Sequence, residues 1–429
     1  MVTKKKYRFA TNALHAGYTP DDKNGTCAVP IYQTSAFVFD STDTASARFE
    51  LKESGNIYSR LSNPTIDVLD TRIAALEGGS AALNVATGQS AEMIAILNIA
   101  QAGDNIISSS SLYGGSYTLF KYTLRQMGID VRFADNTNPE SFLKLIDSNT
   151  KAIYGETIGN PRLDIFPFEE VSKIAQSHGI PLIIDNTFAT PYLFRPFEYG
   201  ADIVIHSATK YLCGHGNSLG GVIVESGKFD WANGNFPIMT EEDISYHGIK
   251  WAQDMKDKAY ISKARLKLLR DMGCALSPFN AFLILQGIET LPLRMKKHSE
   301  NAMETACFLE KNEYIDWVIY PGLSSHKDYT RAKKYFQNGY SGVIGFGIKG
   351  GKAAGKNFID SLELCSNVAN IGDAKSILIH PATTTHNQLS SKELIAAGVS
   401  DDFIRFSTGL EDIEDIIDDI SQALKKANN

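Results

Sequence analysis

The sequence predicts an α/β fold, with a mostly parallel sheet sandwiched by helices and a smaller α/β domain after it. Two observations carry this. From about residue 70 to 225, the apolar runs "ALNVA", "NIISS", "DVRFA", "KAIYGE", "PLIIDN", "DIVIHS" and "GGVIVE" alternate with helical-period stretches such as "SAEMIAILNIAQ" and "FEEVSKIAQSHG". Val- and Ile-rich strands spaced by helices are the pattern of a sheet covered on both faces. Further along, "GYSGVIGFGIKGG" and the amphipathic "LEDIEDIIDDISQALKKA" mix strand and helix signals again.

Taken in order, residues 1–65 read as an arm without clear periodicity, too short for its own core and therefore packed on another surface such as a second subunit. Residues 66–274 read as the domain built on the sheet, where ligands sit beyond the carboxyl ends of the strands. The segment "KFDWANGNFPIMTEEDISYHGIKWAQ" is irregular and aromatic-rich, and a long helical stretch starts near residue 277. Residues 275–429 read as the second domain.

Composition bounds the function. A chain of 429 residues with 43% apolar and 21% charged residues matches ordinary globular proteins. The net charge of −7, with no basic stripe, excludes a nucleic-acid footprint; Lys4, Lys5 and Lys6 read as a solvated terminus. "YRFATNALHAG" has no continuous apolar core, and no stretch is long enough to cross a bilayer, so neither signal peptide nor membrane span is expected. Cys27, Cys213, Cys274, Cys307 and Cys365 are odd in number and form no CxxC pair, which points to reduced thiols and a cytoplasmic protein.

The strand ends carry the chemistry. "LIID" ends at Asp185, and "DIVIH" runs on to Ser207, Thr209 and Lys210. Upstream, "ALNVATGQSAEM" passes through Gly88 and Gln89 into a helix, whose N-terminal N–H groups and dipole favour an anion. A phosphate cup, an acid at one strand end and a lysine beyond the next suit a pyridine cofactor with a phosphate tail and an aldehyde. The acid keeps the ring nitrogen protonated, the amine condenses with the aldehyde, and the cup holds the phosphate. Taken singly, Asp185 also reads as the cap of the turn "NTF", and Arg405 as the partner of Glu411 or Asp412. His206, His215, His380 and His386 show no metal-ligand spacing, and "GIKGGKAAGK" lacks the hydroxyl residue of a nucleotide loop.

Seven motifs in order, "YSRLSNPT", "ATGQSA", "SLYGGSY", "ETIGNP", "DNTFATP", "HSATKY" and "IRFSTGLED", make the chain resemble the cysteine and methionine metabolism enzymes that use pyridoxal 5'-phosphate. Within that family, "GHGNSLGGVIVESGKFDW" and "GDAKSILIHPATTTH" are most similar to the O-acetylhomoserine sulfhydrylase branch, as is the aromatic-rich segment after Lys210. The resemblance implies a type I, aspartate-aminotransferase-like pyridoxal-phosphate fold and a cytoplasmic transferase of methionine biosynthesis. The reaction implied is γ-substitution of O-acetylhomoserine by sulfide, giving homocysteine and acetate. A methionine or cystathionine γ-lyase, a cysteine-using cystathionine γ-synthase and a catalytically silent relative are the other readings.

It also implies roles. Lys210 holds the cofactor and moves protons, and Asp185 pairs with the ring nitrogen. Gly88, Gln89, Ser207 and Thr209 bind the phosphate, joined by Tyr58 and Arg60 from a neighbouring subunit in a homotetramer. Tyr113 stacks on the ring, and Asn160 meets the ring hydroxyl and the substrate. Arg405 clamps the substrate carboxylate, and Ser376 orients the lysine or the substrate. No metal is implied. Cys213 and Asn217 stand where family members often carry Gly and Thr, just past Lys210, which leaves the thiol acceptor open.

Overall fold

The computed structural model describes residues 7–20, 24–384 and 400–428. Lys4 to Lys6 and His386 therefore lie outside the described residues.

The seven apolar runs form one sheet: β1 (Ala81–Val85), β2 (Asn105–Ser109), β3 (Asp130–Ala134), β4 (Thr150–Glu156), β5 (Leu182–Asp185), β6 (Ile203–His206) and β7 (Gly221–Glu225). The strand order is β1-β7-β6-β5-β4-β2-β3. Strands β2 to β6 pair in parallel, and β7 runs antiparallel to both neighbours. Adjacent residues of one strand enter opposite cores, as period-two geometry requires of a sheet buried on both faces. Ile107, Ile153, Ile184 and Val204 pack on one side, with the helix Pro64–Glu77 and Phe168. Ile106, Tyr154, Ile183 and Ile205 pack on the other, with the helix Gly88–Leu97.

The aromatic-rich segment belongs to that second core. Trp231, Phe236, Met239 and Trp251 are buried there, and the Trp231 ring stacks on Tyr260 with centroids 5.1 Å apart. Its likeness to one branch of the family thus falls on packing residues.

A second sheet follows: β8 (Ile315–Ile319), β9 (Val343–Ile348), β10 (Ser366–Asn367), β11 (Ile377–Ile379) and β12 (Phe403–Ser407), in the order β10-β11-β12-β9-β8. Ile344, Phe346, Ile404 and Phe406 face a core shared with Ile416 and Ile420 of the helix Ile413–Asn428. Arg405 lies between Ile404 and Phe406, so the alternation of the strand turns it away from that core.

Two details differ from the sequence expectation. The arm carries helices at Phe9–His15 and Thr42–Phe49, too short to register as periodicity. The long helical stretch divides at Thr290 into Pro278–Glu289 and Leu291–Glu310, where Pro292, lacking an N–H, fits only a first turn.

Candidate active site

The parallel register sets Glu156 beside Asp185 and Asp185 beside Ile205, so β4, β5 and β6 end side by side. Beyond their carboxyl ends lies a cavity of about 250 Å³. Lys210 enters it from the loop after β6, the helix Gly88–Leu97 points its N-terminus at it, Arg405 reaches it from the second sheet and Asn370 from the segment between β10 and β11.

One end suits an anion. Thr87 caps the helix by accepting the Ser90 N–H at 3.1 Å, and the Gly88 and Gln89 N–H groups have no acceptor among the described residues. A Cβ on Gly88 would fall 2.8 Å from the Ser207 Cβ, so only glycine lets this helix start approach the lysine loop. Ser207 is held by its N–H to Thr187 Oγ1 at 2.8 Å. The Thr209 hydroxyl bridges the backbone of Gly220.

Asp185 marks the other end. It accepts the Thr187 N–H at 2.8 Å, so it does cap the turn, and it also lines the cavity. Among the described residues it has no ion-pair partner. Burial pushes its carboxyl up, while hydrogen bonding from Thr187 and the charge of His206 pull it down.

The Lys210 amine donates to Asn370 Oδ1 at 2.5 Å. Burial, and then the charge of Arg405, pull its pKa down to about 8, which leaves about a tenth of the amine unprotonated at pH 7, far more than for an ordinary lysine. Arg405 is 7% exposed and meets no carboxylate among the described residues. Its Nη1 donates to Asn160 Oδ1 and its Nη2 to the Asn370 carbonyl, both at a long 3.4 Å. A buried guanidinium without a carboxylate can take one from a ligand as a bidentate pair. Tyr113 is half exposed at the cavity mouth, its backbone N–H fixed by Glu156 Oε1 at 2.6 Å.

Nine of the twelve residues named from the sequence line this cavity: Gly88, Gln89, Tyr113, Asn160, Asp185, Ser207, Thr209, Lys210 and Arg405. Tyr58 and Arg60 do not; they are exposed, with the Arg60 guanidinium 5.2 Å from the Tyr58 ring centre. Ser376 departs from expectation. Its hydroxyl donates to Glu411 Oε2 at 2.9 Å and accepts the Gly409 N–H at 2.8 Å, and it does not line the cavity. The chain turns at Gly372, whose φ is +69°, so Asn370 is the residue of this segment that meets the lysine. Glu411 is thereby taken by Ser376 and is no partner of Arg405.

The sequence reading missed Asn370, Glu92 and Glu156. Glu156 ends its strand as Asp185 ends the next, a signal that could have found it. Its carboxyl is pushed well up by burial and the nearby Asp185. Glu92 lies one helical turn after Gly88 and accepts from Ser116 Oγ at 2.7 Å and Gln89 Nε2 at 3.1 Å. Burial and Asp185 push it up to about 8, so near neutrality it is largely protonated. The Gln89 side chain being engaged, its free N–H is what faces an anion. His215 and His380 bond to backbone carbonyls, at 2.7 and 2.8 Å, and no cluster of three metal-ligating side chains occurs among the described residues.

These features fit a phosphate-bearing pyridine aldehyde: unengaged helix N–H groups, a glycine where no Cβ is tolerated, an acid without a cation and a deprotonatable amine. Comparison with known proteins points the same way. An O-acetyl-L-homoserine sulfhydrylase of Leptospira meyeri is 54% identical over 98% of this chain and 97% of its own length. A homocysteine synthase of Schizosaccharomyces pombe is 49% identical over 98% of each chain. The fold superposes with a TM-score of 0.95 on an O-acetylhomoserine (thiol)-lyase structure from Campylobacter jejuni. That structure contains N'-pyridoxyl-lysine-5'-monophosphate, is 42% identical, and is matched over 98% of this chain and 100% of that one. Residues 10–425 fit the family described as Cys/Met metabolism PLP-dependent enzymes. The solved relative's pyridoxyl-lysine matches the chemistry that this cavity's lysine allows, and the chain belongs to the Cys/Met metabolism PLP-dependent enzymes.

Proposed function

We propose that the protein converts O-acetylhomoserine and sulfide to homocysteine and acetate, with pyridoxal phosphate held by residues 66–274 and the substrate carboxylate by residues 275–429. The observation that carries this reading is the partly deprotonated Lys210 amine, placed in one cavity with Asp185, the Gly88 helix start and the carboxylate-free Arg405.

When bound, pyridoxal phosphate supplies an aldehyde for amino groups and a ring that draws charge from the substrate α-carbon. The Gly88 and Gln89 N–H groups, with the Ser207 and Thr209 hydroxyls, bind its phosphate. Asp185 would keep a proton on the ring nitrogen, and Tyr113 would cover the ring. Arg405 and Asn160 orient the substrate by its carboxylate. With the substrate held there, the Lys210 amine would remove the α-proton and then serve the β-carbon. Acetate leaves the γ-carbon and sulfide takes its place.

The arm supports an oligomeric enzyme, a tetramer by likeness to its family. Ile31, Tyr32, Val38, Phe49 and Leu51 are exposed, Val38 at 94%, an apolar surface suited to a second subunit. Tyr58 and Arg60 lie on this arm and would complete the neighbour's phosphate site. The five cysteines are all free, which supports a reducing, cytoplasmic setting, and no helix among the described residues is long and apolar enough to cross a membrane.

The test supplies purified protein with O-acetylhomoserine and either sulfide or cysteine, and identifies the amino-acid product. Homocysteine from sulfide is expected. Cystathionine from cysteine, or a keto acid and ammonia without added thiol, would overturn the assignment.

A further inference from the structure

Glu77 is the last residue of the helix Pro64–Glu77, and its side chain is 1% exposed. A carboxylate there is doubly unfavourable, because burial strips its water and the C-terminal end of a helix repels negative charge. The counterpart is His206, fully buried, with Nε2 2.5 Å from Glu77 Oε1. The same oxygen accepts the Asn186 side-chain N–H at 3.1 Å, while Glu77 Oε2 has no partner among the described residues. The contacts therefore converge on one atom.

The two residues gathered there occupy particular places. Asn186 follows Asp185 at the end of β5, and His206 precedes Ser207 at the end of β6. Asn186 is pinned further by its Nδ2 to the Phe194 carbonyl at 2.9 Å and by Thr157 Oγ1 donating to its Oδ1 at 2.7 Å. One carboxylate oxygen outside the cavity thus ties the strand that presents the acid to the strand that leads into the hydroxyls and the lysine. A buried polar pair adds little stability over apolar packing, so its value here is the spacing it fixes.

We propose that Glu77, acting through His206 and Asn186, is a positioning residue for the cofactor, locking the distance between the acid and phosphate ends of the cavity. This rests on the reading that pyridoxal phosphate occupies the cavity. The test is the dissociation constant of pyridoxal phosphate for wild type, Glu77→Gln and Asp419→Asn, with the melting temperature of each. Asp419 is a buried carboxylate that does not line the cavity and accepts the N–H groups of Glu363, Leu364 and Cys365, so its loss lowers stability for an unrelated reason.

Both variants should melt lower than wild type, and only E77Q should bind the cofactor about 10-fold more weakly, the effect of one lost buried hydrogen bond. Unchanged affinity in E77Q, or equal weakening in D419N, would overturn the positioning role. Should E77Q fail to fold, His206→Gln answers the same question: weakened affinity supports the proposal and unchanged affinity refutes it. A wild-type protein that binds no pyridoxal phosphate would instead refute the cofactor reading itself.

Discussion

The cavity has two walls, and they are built differently. On the strand-end wall the polar groups are tied to one another by short bonds, such as Thr187 to Asp185 at 2.8 Å, Ser207 to Thr187 at 2.8 Å and Tyr113 to Glu156 at 2.6 Å. On the wall from the second sheet, Arg405 makes only 3.4 Å contacts and meets no carboxylate among the described residues. The first wall is assembled before anything binds, whereas the second keeps its strongest donor in reserve. A permanent cofactor and a passing substrate call for that difference.

The comparison breaks most completely at Lys210, which reaches from one wall to the other. Lys210→Ala should abolish turnover while leaving the circular dichroism spectrum intact; an active, cofactor-free variant would remove Lys210 from the mechanism. Next comes Arg405→Lys, which loses the planar fork. KM for O-acetylhomoserine should rise roughly 10- to 100-fold, the range of one charge-assisted hydrogen bond, with cofactor affinity unchanged. A parallel loss of cofactor affinity would mean that the walls are not separable.

A pH series sharpens the same distinction. Burial favours the neutral amine of Lys210, so acid below about pH 8 adds the proton that blocks attack on the aldehyde. Uptake of pyridoxal phosphate by cofactor-free enzyme should slow by about 10-fold for each pH unit below that point, which rapid-mixing absorbance can follow. Because the Arg405 charge is the second cause of the depressed pKa, R405K should keep this dependence and Arg405→Met should move it to higher pH. The smallest effect belongs to Ser376→Ala. Loss of its bonds to Glu411 and Gly409 should lower unfolding free energy by about 1–3 kcal/mol in a denaturant titration. KM should move far less than in R405K.

The strand-end wall was the legible one, for a physical reason. Gly88, Asp185 and Lys210 sit where an apolar run stops, and in a parallel sheet the places where strands stop are also where ligands bind. Strand identity, order along the chain and function could therefore be read from local pattern together. The second wall depends on which side chain of a loop turns inward, and no local pattern states that. Asn370 and Ser376 are six positions apart in one segment, yet one bonds the lysine and the other a distant carboxylate. Glu92 was hidden for another reason: its burial follows from packing against Ser116, and a charged residue on a helix reads as solvent-facing until that contact is known.

Strand order along the chain also sets an order in time. The ribosome makes Gly88, Asp185 and Lys210, with the whole seven-stranded sheet, before any strand of the sheet that carries Arg405. A nascent chain that has emerged past β7 owns the acid, the amine and the phosphate-end glycine without the guanidinium. The acid and amine thus exist before the guanidinium, and the substrate end of the cavity waits until the second sheet has formed.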